Sequence, residues 1–175
     1  MKKINIVLFQ PEIAENAGNI MRSCVGFDAH LHLILPLGFN LYDKRIKRSA
    51  VNYMDHLEYT LYDDLDDFFN QNKDAKIFYL TRYGHKTPKD IKFDKDEKVF
   101  FMFGRESTGI PYELLQKNLD NCFRIPTTDN VRSLNLSNCV AIILYEATKN
   151  LDFEGLYKEE PDTLKGHNFI DEYKS

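Results

Sequence analysis

Three short stretches of this chain carry polar side chains in arrangements that could do chemistry: residues 16–22, 104–111 and 125–135. In the first, Asn16, Asn19 and Arg22 fall near three-residue intervals along a helical segment. Asparagines at a helix start, followed by an arginine, can hold a phosphate or a polar hydroxyl. The plainer alternative is that Asn16 caps the helix while Arg22 sits on a solvated face. In the second, the apolar run Val99–Phe103 ends abruptly in Gly104-Arg105-Glu106-Ser107-Thr108-Gly109-Ile110-Pro111. Gly104 lets the backbone turn and a ligand approach closely. Glu106 is a candidate acceptor or structural anchor, and the alternative is an ordinary strand–loop–helix connection. In the third, a polar loop after Ile125 and Pro126 leads through Arg132 and Ser133 to Asn135 and an apolar helix. Ser133 as a helix cap explains one residue. It leaves Asn135, Ser137 and Asn138 crowded into the first turn, where such residues compete for backbone bonds.

Other chemistries find no support. There is no nucleophile elbow for a Ser–His–Asp hydrolase, no phosphate loop and no G-x-G-x-x-G fingerprint. His30, His32, His56, His85 and His167 show no metal-ligand spacing with carboxylates. Cys24, Cys122 and Cys139 are odd in number and far apart. Neither a disulfide framework nor a zinc site is expected, and the cysteines are read as small core or near-core residues.

The elements that must position the three stretches alternate in type. Strands are expected at Ile4–Phe9, 31–35, 57–61, 76–81, Val99–Phe103 and 122–125. Helices are expected at 18–27, 44–51, 63–72, 112–118 with Pro111 opening it, and 135–150. Alternating apolar strands and amphipathic helices predict an α/β fold, a mostly parallel sheet with helices on both faces. Ligands of such sheets bind beyond the carboxyl ends of the strands, where all three stretches lie. The 175 residues suit one domain, taken as 1–155, with a polar tail over 156–175. The formal net charge of −4 argues mildly against nucleic acid, although local distribution matters more than the sum. No apolar run approaches the ~18 residues of a membrane span, and the N-terminus does not read as a secretory signal. A cytoplasmic protein is expected.

The same three segments, in this order, resemble the SPOUT superfamily of S-adenosylmethionine-dependent RNA methyltransferases. N-x-G-N-x-x-R matches 16–22, F-G-x-E-[ST]-x-G-[IL]-P matches 103–111, and I-P-…-S-[LM]-N-L-S-N matches 125–138. Similarity over residues 3–150, including INIVLFQPE at 4–12 and PLGF at 36–39, points to the small TrmL-type subgroup. That subgroup 2′-O-methylates the wobble nucleotide of tRNA. The resemblance implies a deep C-terminal trefoil knot, which general rules would reject, and a homodimer whose site uses both chains. It implies that S-adenosylmethionine lies against Leu80, Gly104, Ile125 and Ser133. Arg22 becomes the implied catalytic residue, helped by Asn16, with Glu106, Ser133 and Asn135 shaping the reacting centre. Arginine is a poor base at its normal pKa, so an electrostatic role or a phosphate relay is equally reasonable. Arg22 with the basic run Lys44, Arg45, Lys47 and Arg48 is the expected contact to the tRNA anticodon stem-loop; a solvated helix face is the alternative. Arg105 stands where relatives often carry proline, and Asp129-Asn130-Val131 lies in a variable stretch. Another tRNA site, a ribosomal RNA target, or a non-catalytic RNA-binding role are the competing readings.

Overall fold

The computed structural model describes residues 2–41, 46 and 53–173. Six strands form one parallel sheet in the order β3-β2-β1-β5-β4-β6. They are β1 (Ile4–Phe9), β2 (His30–Ile34), β3 (Tyr59–Tyr62), β4 (Lys76–Leu80), β5 (Val99–Phe103) and β6 (Cys122–Phe123). The most apolar strands, β1 and β5, are buried along their whole length and pair with each other at the centre. A strand covered on both faces needs a continuous apolar sequence, and INIVLF and VFFMF supply it.

Side chains along β1 alternate between two cores. Ile4, Ile6 and Leu8 join Ile20 of α1 (Ala14–Gly26) and Val140 and Leu144 of α4 (Leu136–Asn150). Val7 and Phe9 point the other way, toward Phe68 of α2 (Leu65–Gln71) and Leu115 of α3 (Tyr112–Lys117). Helices therefore cover both faces, as the alternating pattern predicts. Beyond α4 the described chain runs in turns to residue 173. No helix among the described residues is long and apolar enough to cross a membrane. The expected basic helix at 44–51 falls outside the described residues except for Ile46, which is buried in the first core.

Several boundaries move. The first helix starts at Ala14, not at residue 18, and Asn16 lies inside it, so Asn16 is not its cap. The third strand begins at Tyr59, after a 3-10 turn at Met54–His56. The last strand keeps only Cys122–Phe123, because the chain leaves the ladder toward the loop after β4. Pro111 stands at the boundary of α3, one position before its first helical residue.

One buried polar string crosses the sheet. His32 is 3% exposed; its Nε2 lies 3.0 Å from Asn5 Oδ1 and its Nδ1 2.8 Å from the Tyr62 hydroxyl. The Asn5 amide nitrogen donates to the Lys3 and Val99 carbonyls, so Oδ1 faces His32 and Nε2 must carry the ring proton. Desolvation, with positive His30 and Lys98 nearby, lowers the His32 pKa to about 3. An unfolded histidine titrates near ~6.5, so below that pH the unfolded chain binds a proton that the folded chain refuses. Stability is full above this pH and falls toward the folded value. Urea unfolding should show a loss of about 1–2 kcal/mol between pH 7 and 5 from this group. His32→Leu should flatten that dependence while costing about 1–3 kcal/mol at pH 7, because Asn5 Oδ1 is left unpaired.

Candidate active site

The loops after β1, β4, β5 and β6 meet beyond the carboxyl ends of the strands and enclose a cavity of about 470 Å³. Its wall takes Leu80 and Thr81 from the end of β4, Gly104 and Glu106 from the loop after β5, and Ile125 from the segment after β6. Ser133, Asn135 and half-buried Cys139 come from the approach to α4, and Asn16 from α1. The structure thus brings together seven residues singled out in the sequence: Asn16, Leu80, Gly104, Glu106, Ile125, Ser133 and Asn135. Arg22 is not among the lining residues. It is exposed, with its guanidinium 5.0 Å from the Tyr53 ring centroid. Lys44, Arg45 and Arg48 lie outside the described residues.

Glu106 organises the site. Its carboxylate accepts from the backbone amides of Glu12 (2.8 Å) and Ile13 (3.3 Å) and from the Asn16 side-chain amide (2.9 Å). No side chain within α1 caps the helix. A carboxylate from 93 residues away serves its N-terminus instead, where negative charge is favoured. The clasp is reciprocal. Glu12 accepts from the Ser107 amide and hydroxyl, both at 2.8 Å, and these bonds hold its carboxyl below the usual carboxylate range.

The carboxylate also sets the direction of a string of amides. Glu106 can only accept, so Asn16 turns its nitrogen toward it and its oxygen toward Asn135 Nδ2, at 2.8 Å. Asn135 Oδ1 is thereby left for the start of α4. It accepts from the Ser137 amide (2.8 Å), the Ser137 hydroxyl (2.6 Å) and the Asn138 amide (3.4 Å). Asn135, not Ser133, is the cap of α4. Ser133 is exposed on the cavity wall, free of that duty. The crowding of Asn135, Ser137 and Asn138 is one cap together with its two recipients.

Two glycines bring backbones into contact. A Cβ on Gly104 would overlap the backbone of Gly109 and Ile110, where Arg105 and Gly109 exchange amide bonds of 3.2 and 2.9 Å across a tight turn. A Cβ on Gly84 would overlap Phe123 and Arg124. At that point the segment leaving β6 lies against the loop after β4, with Thr81 N bonded to Phe123 O (2.9 Å) and Arg124 N to Lys86 O (2.8 Å). Gly104→Ala should therefore open the turn and weaken S-adenosylmethionine binding by at least about tenfold, as expected when ligand-positioning backbone shifts by ~1 Å. Calorimetric titration measures it, and an unchanged affinity would contradict the role given to this turn.

Sequence reasoning missed the wall opposite. Arg82, Tyr83 and Tyr112 line the cavity rim, and Arg105, Arg124 and Arg132 also face the cavity. The available signal was Thr81-Arg82-Tyr83-Gly84 directly after an apolar strand, a position where loop residues bind ligands. Burial raises the Cys139 thiol pKa, so this cysteine stays protonated on the wall. No group of His, Cys, Asp or Glu able to hold a metal occurs among the described residues.

This fold and cavity define an α/β protein that takes a small organic ligand at the carboxyl ends of a parallel sheet. The chain belongs to the SpoU rRNA methylase family, whose model matches residues 3–145. It is 49% identical to a protein of Listeria monocytogenes serotype 4b (strain F2365) provisionally named a tRNA (cytidine(34)-2′-O)-methyltransferase, over 89% of this chain and 92% of that one. A crystal structure from Bacillus anthracis, provisionally an RNA methyltransferase, superposes with a TM-score of 0.84 at 45% identity, covering 90% and 99% of the two chains. A second structure, described as giving insight into 2-OH methylation of C/U34 on tRNA, superposes at 0.80 with 35% identity, covering 86% and 97%.

Proposed function

We propose that this protein transfers a methyl group from S-adenosylmethionine to the ribose 2′-hydroxyl of the wobble nucleotide, C34 or U34, of tRNA, with leucine tRNAs as the expected substrates. The carrying observation is that the family match over residues 3–145 spans every cavity-lining residue, Ile13 to Cys139. Near-full-length relatives with that provisional name supply the substrate.

The residues present fit the cofactor. The volume lies within the ~300–1,000 Å³ usual for ligand sites. Leu80 and Ile125 offer apolar surface, and Gly104, where a Cβ would meet the backbone of Gly109 and Ile110, keeps the turn beside them closed. Glu106 already accepts three bonds, so the site holds no spare carboxylate to pin a sulfonium, and backbone carbonyls are left to that task. S-adenosylmethionine supplies an activated methyl group when bound. In such a transfer the ribose oxygen would take the methyl carbon as its bond to sulfur breaks, leaving a neutral thioether, and the hydroxyl proton would pass to solvent or to an RNA phosphate. The protein's part is to hold the two in line and to favour the charge developing on oxygen.

Arg22 is assigned the second task, from a second copy of the chain. Six residues of helix separate it from Asn16, a rise of about 9 Å and a turn that leaves it ~120° away from the cavity-facing side. It cannot serve the cavity that its own Asn16 lines. Exposed Ile142 (37%) and Tyr145 (51%) on α4 support a homodimer. The close passage of Phe123 and Arg124 against Gly84 is where the trefoil knot would cross. Lys44, Arg45 and Arg48 are assigned to the RNA backbone, and the cytoplasm to the protein. The family's description as rRNA methylases favours one alternative, a ribosomal target. Mapping 2′-O-methyl groups in a deletion strain separates the two: loss at tRNA position 34 supports the proposal, and loss only in ribosomal RNA overturns it.

A further inference from the structure

Four arginines and one glutamate make up the charged lining of the cavity: Arg82, Arg105, Arg124, Arg132 and Glu106. The methyl donor carries a single carboxylate, on its methionyl arm, so it could pair with one of these guanidinium groups and would leave the others for a different anion. Three of the four are engaged with neutral groups, Arg82 through Tyr83. Arg105 lies over the Phe9 ring (5.5 Å), and Arg124 donates to the Arg82 carbonyl (3.0 Å). Arg82 and Arg132 have no carboxylate partner among the described residues.

Arg82 belongs to an aromatic cluster. Its guanidinium sits 4.7 Å from the Tyr83 ring centroid and donates to the Tyr83 hydroxyl at 2.7 Å. Tyr83 meets Tyr112 nearly edge to face, with centroids 5.7 Å apart and planes at 83°, and their hydroxyls lie 3.3 Å apart. One ring comes from the loop after β4 and the other from the first residue of α3, 29 residues apart, yet they hold one another at the rim. They remain 44% and 64% exposed. Rings that packed for stability alone would be covered. Rings that are fixed, exposed and flanked by guanidinium groups that no described carboxylate neutralises form the kind of platform on which unpaired nucleobases stack while arginines meet the adjoining phosphates.

We propose that Arg82, Tyr83 and Tyr112 form a shelf that stacks the nucleobase beside the methylated nucleotide, with Arg132 meeting the phosphate between them. This rests on the reading of the protein as a wobble-ribose methyltransferase. A loop nucleotide must be drawn out of its stack for its ribose to reach the methyl donor, and a second stacking surface offsets that loss. The shelf, at the rim of the cavity, would thus act on RNA binding more than on methyl-donor binding.

The test uses the whole protein and a synthetic leucine-tRNA anticodon stem-loop. Tyr83→Ala with Tyr112→Ala should raise the RNA KM about tenfold or more, the size of one lost base–aromatic stack, and by a larger factor than it changes cofactor affinity. Tyr83→Phe with Tyr112→Phe should recover most of that loss, since rings stack without their hydroxyls. A stem-loop made abasic at one neighbour of position 34 should show a similar penalty with wild type and no further one with the double alanine variant. The chain has no tryptophan, so Tyr83→Trp adds a single reporter whose emission should fall on adding the stem-loop and not on adding S-adenosylmethionine. That reporter serves even if the alanine variant is unstable. An unchanged RNA KM, a loss confined to cofactor affinity, or a tryptophan blind to RNA would overturn the shelf. A wild-type protein that methylates no stem-loop, while its Tyr83→Trp emission still falls, would overturn the reaction and keep the shelf.

Discussion

An Arg22→Ala variant should lose about 10²–10³-fold in kcat for methyl transfer, the range for removing one group that stabilises charge in a transition state. Its melting temperature and its affinity for S-adenosylmethionine should stay close to wild type. The expectation follows from placement. Arg22 is exposed, touches Tyr53 rather than the core, and contributes nothing to its own chain's cavity. A residue so placed has little to do with stability, and its effect on rate would come through a neighbouring copy. Arg22→Lys keeps the charge but not the planar fork, and about a tenfold loss is expected. Mixing the Arg22→Ala chain with one whose cavity is disabled should restore activity that neither has alone, since one shared site in the mixed dimer would be intact. Steady-state kinetics on the stem-loop reads all three, and full activity in Arg22→Ala would remove its assignment.

The second large effect concerns stability. Glu106→Ala removes the acceptor of three donors, two of them backbone amides at the start of α1. Charge-assisted bonds and a lost helix cap together suggest a cost of about 3 kcal/mol. In a chain of this length that is roughly 6–12 °C in melting temperature. Glu106→Gln should be nearly as damaging despite its matching shape. Its amide would set an N–H against one of the three donors in one flip and against two in the other. The direction of Asn16 and Asn135 would then be undefined, and S-adenosylmethionine affinity should fall along with stability. Thermal melts and calorimetry check both, and a shift of less than ~0.5 kcal/mol in both variants would mean that water replaces the carboxylate.

What the chain revealed before folding follows from the range of its interactions. The central strands were legible because β1 and β5 are continuous apolar runs, and a sheet covered on both faces demands that. The loops of the site were legible because polar residues and glycines follow strand ends directly. Helix starts were less so. The carboxylate that anchors the two residues before α1 lies in another loop, and no side chain caps the helix locally, so nothing near Ala14 marks its beginning. Ser133 is a possible cap of α4 by sequence, and Asn135 takes that place in the fold, where Asn16, 119 residues earlier, orients its side chain. The shelf of Arg82, Tyr83 and Tyr112 stayed invisible for the same reason: each is unremarkable in its own segment, and only the meeting of the loop after β4 with the start of α3 makes a surface.

One measurement tests the central claim most directly. Purified protein is incubated with S-adenosylmethionine and an unmodified leucine tRNA, and the digested RNA is mapped by mass spectrometry. A single added methyl on the ribose of nucleotide 34, absent without the cofactor and strongly reduced with Arg22→Ala, is the predicted result. A methyl at another position, on a base, or on no nucleotide of tRNA while ribosomal RNA is modified would contradict it.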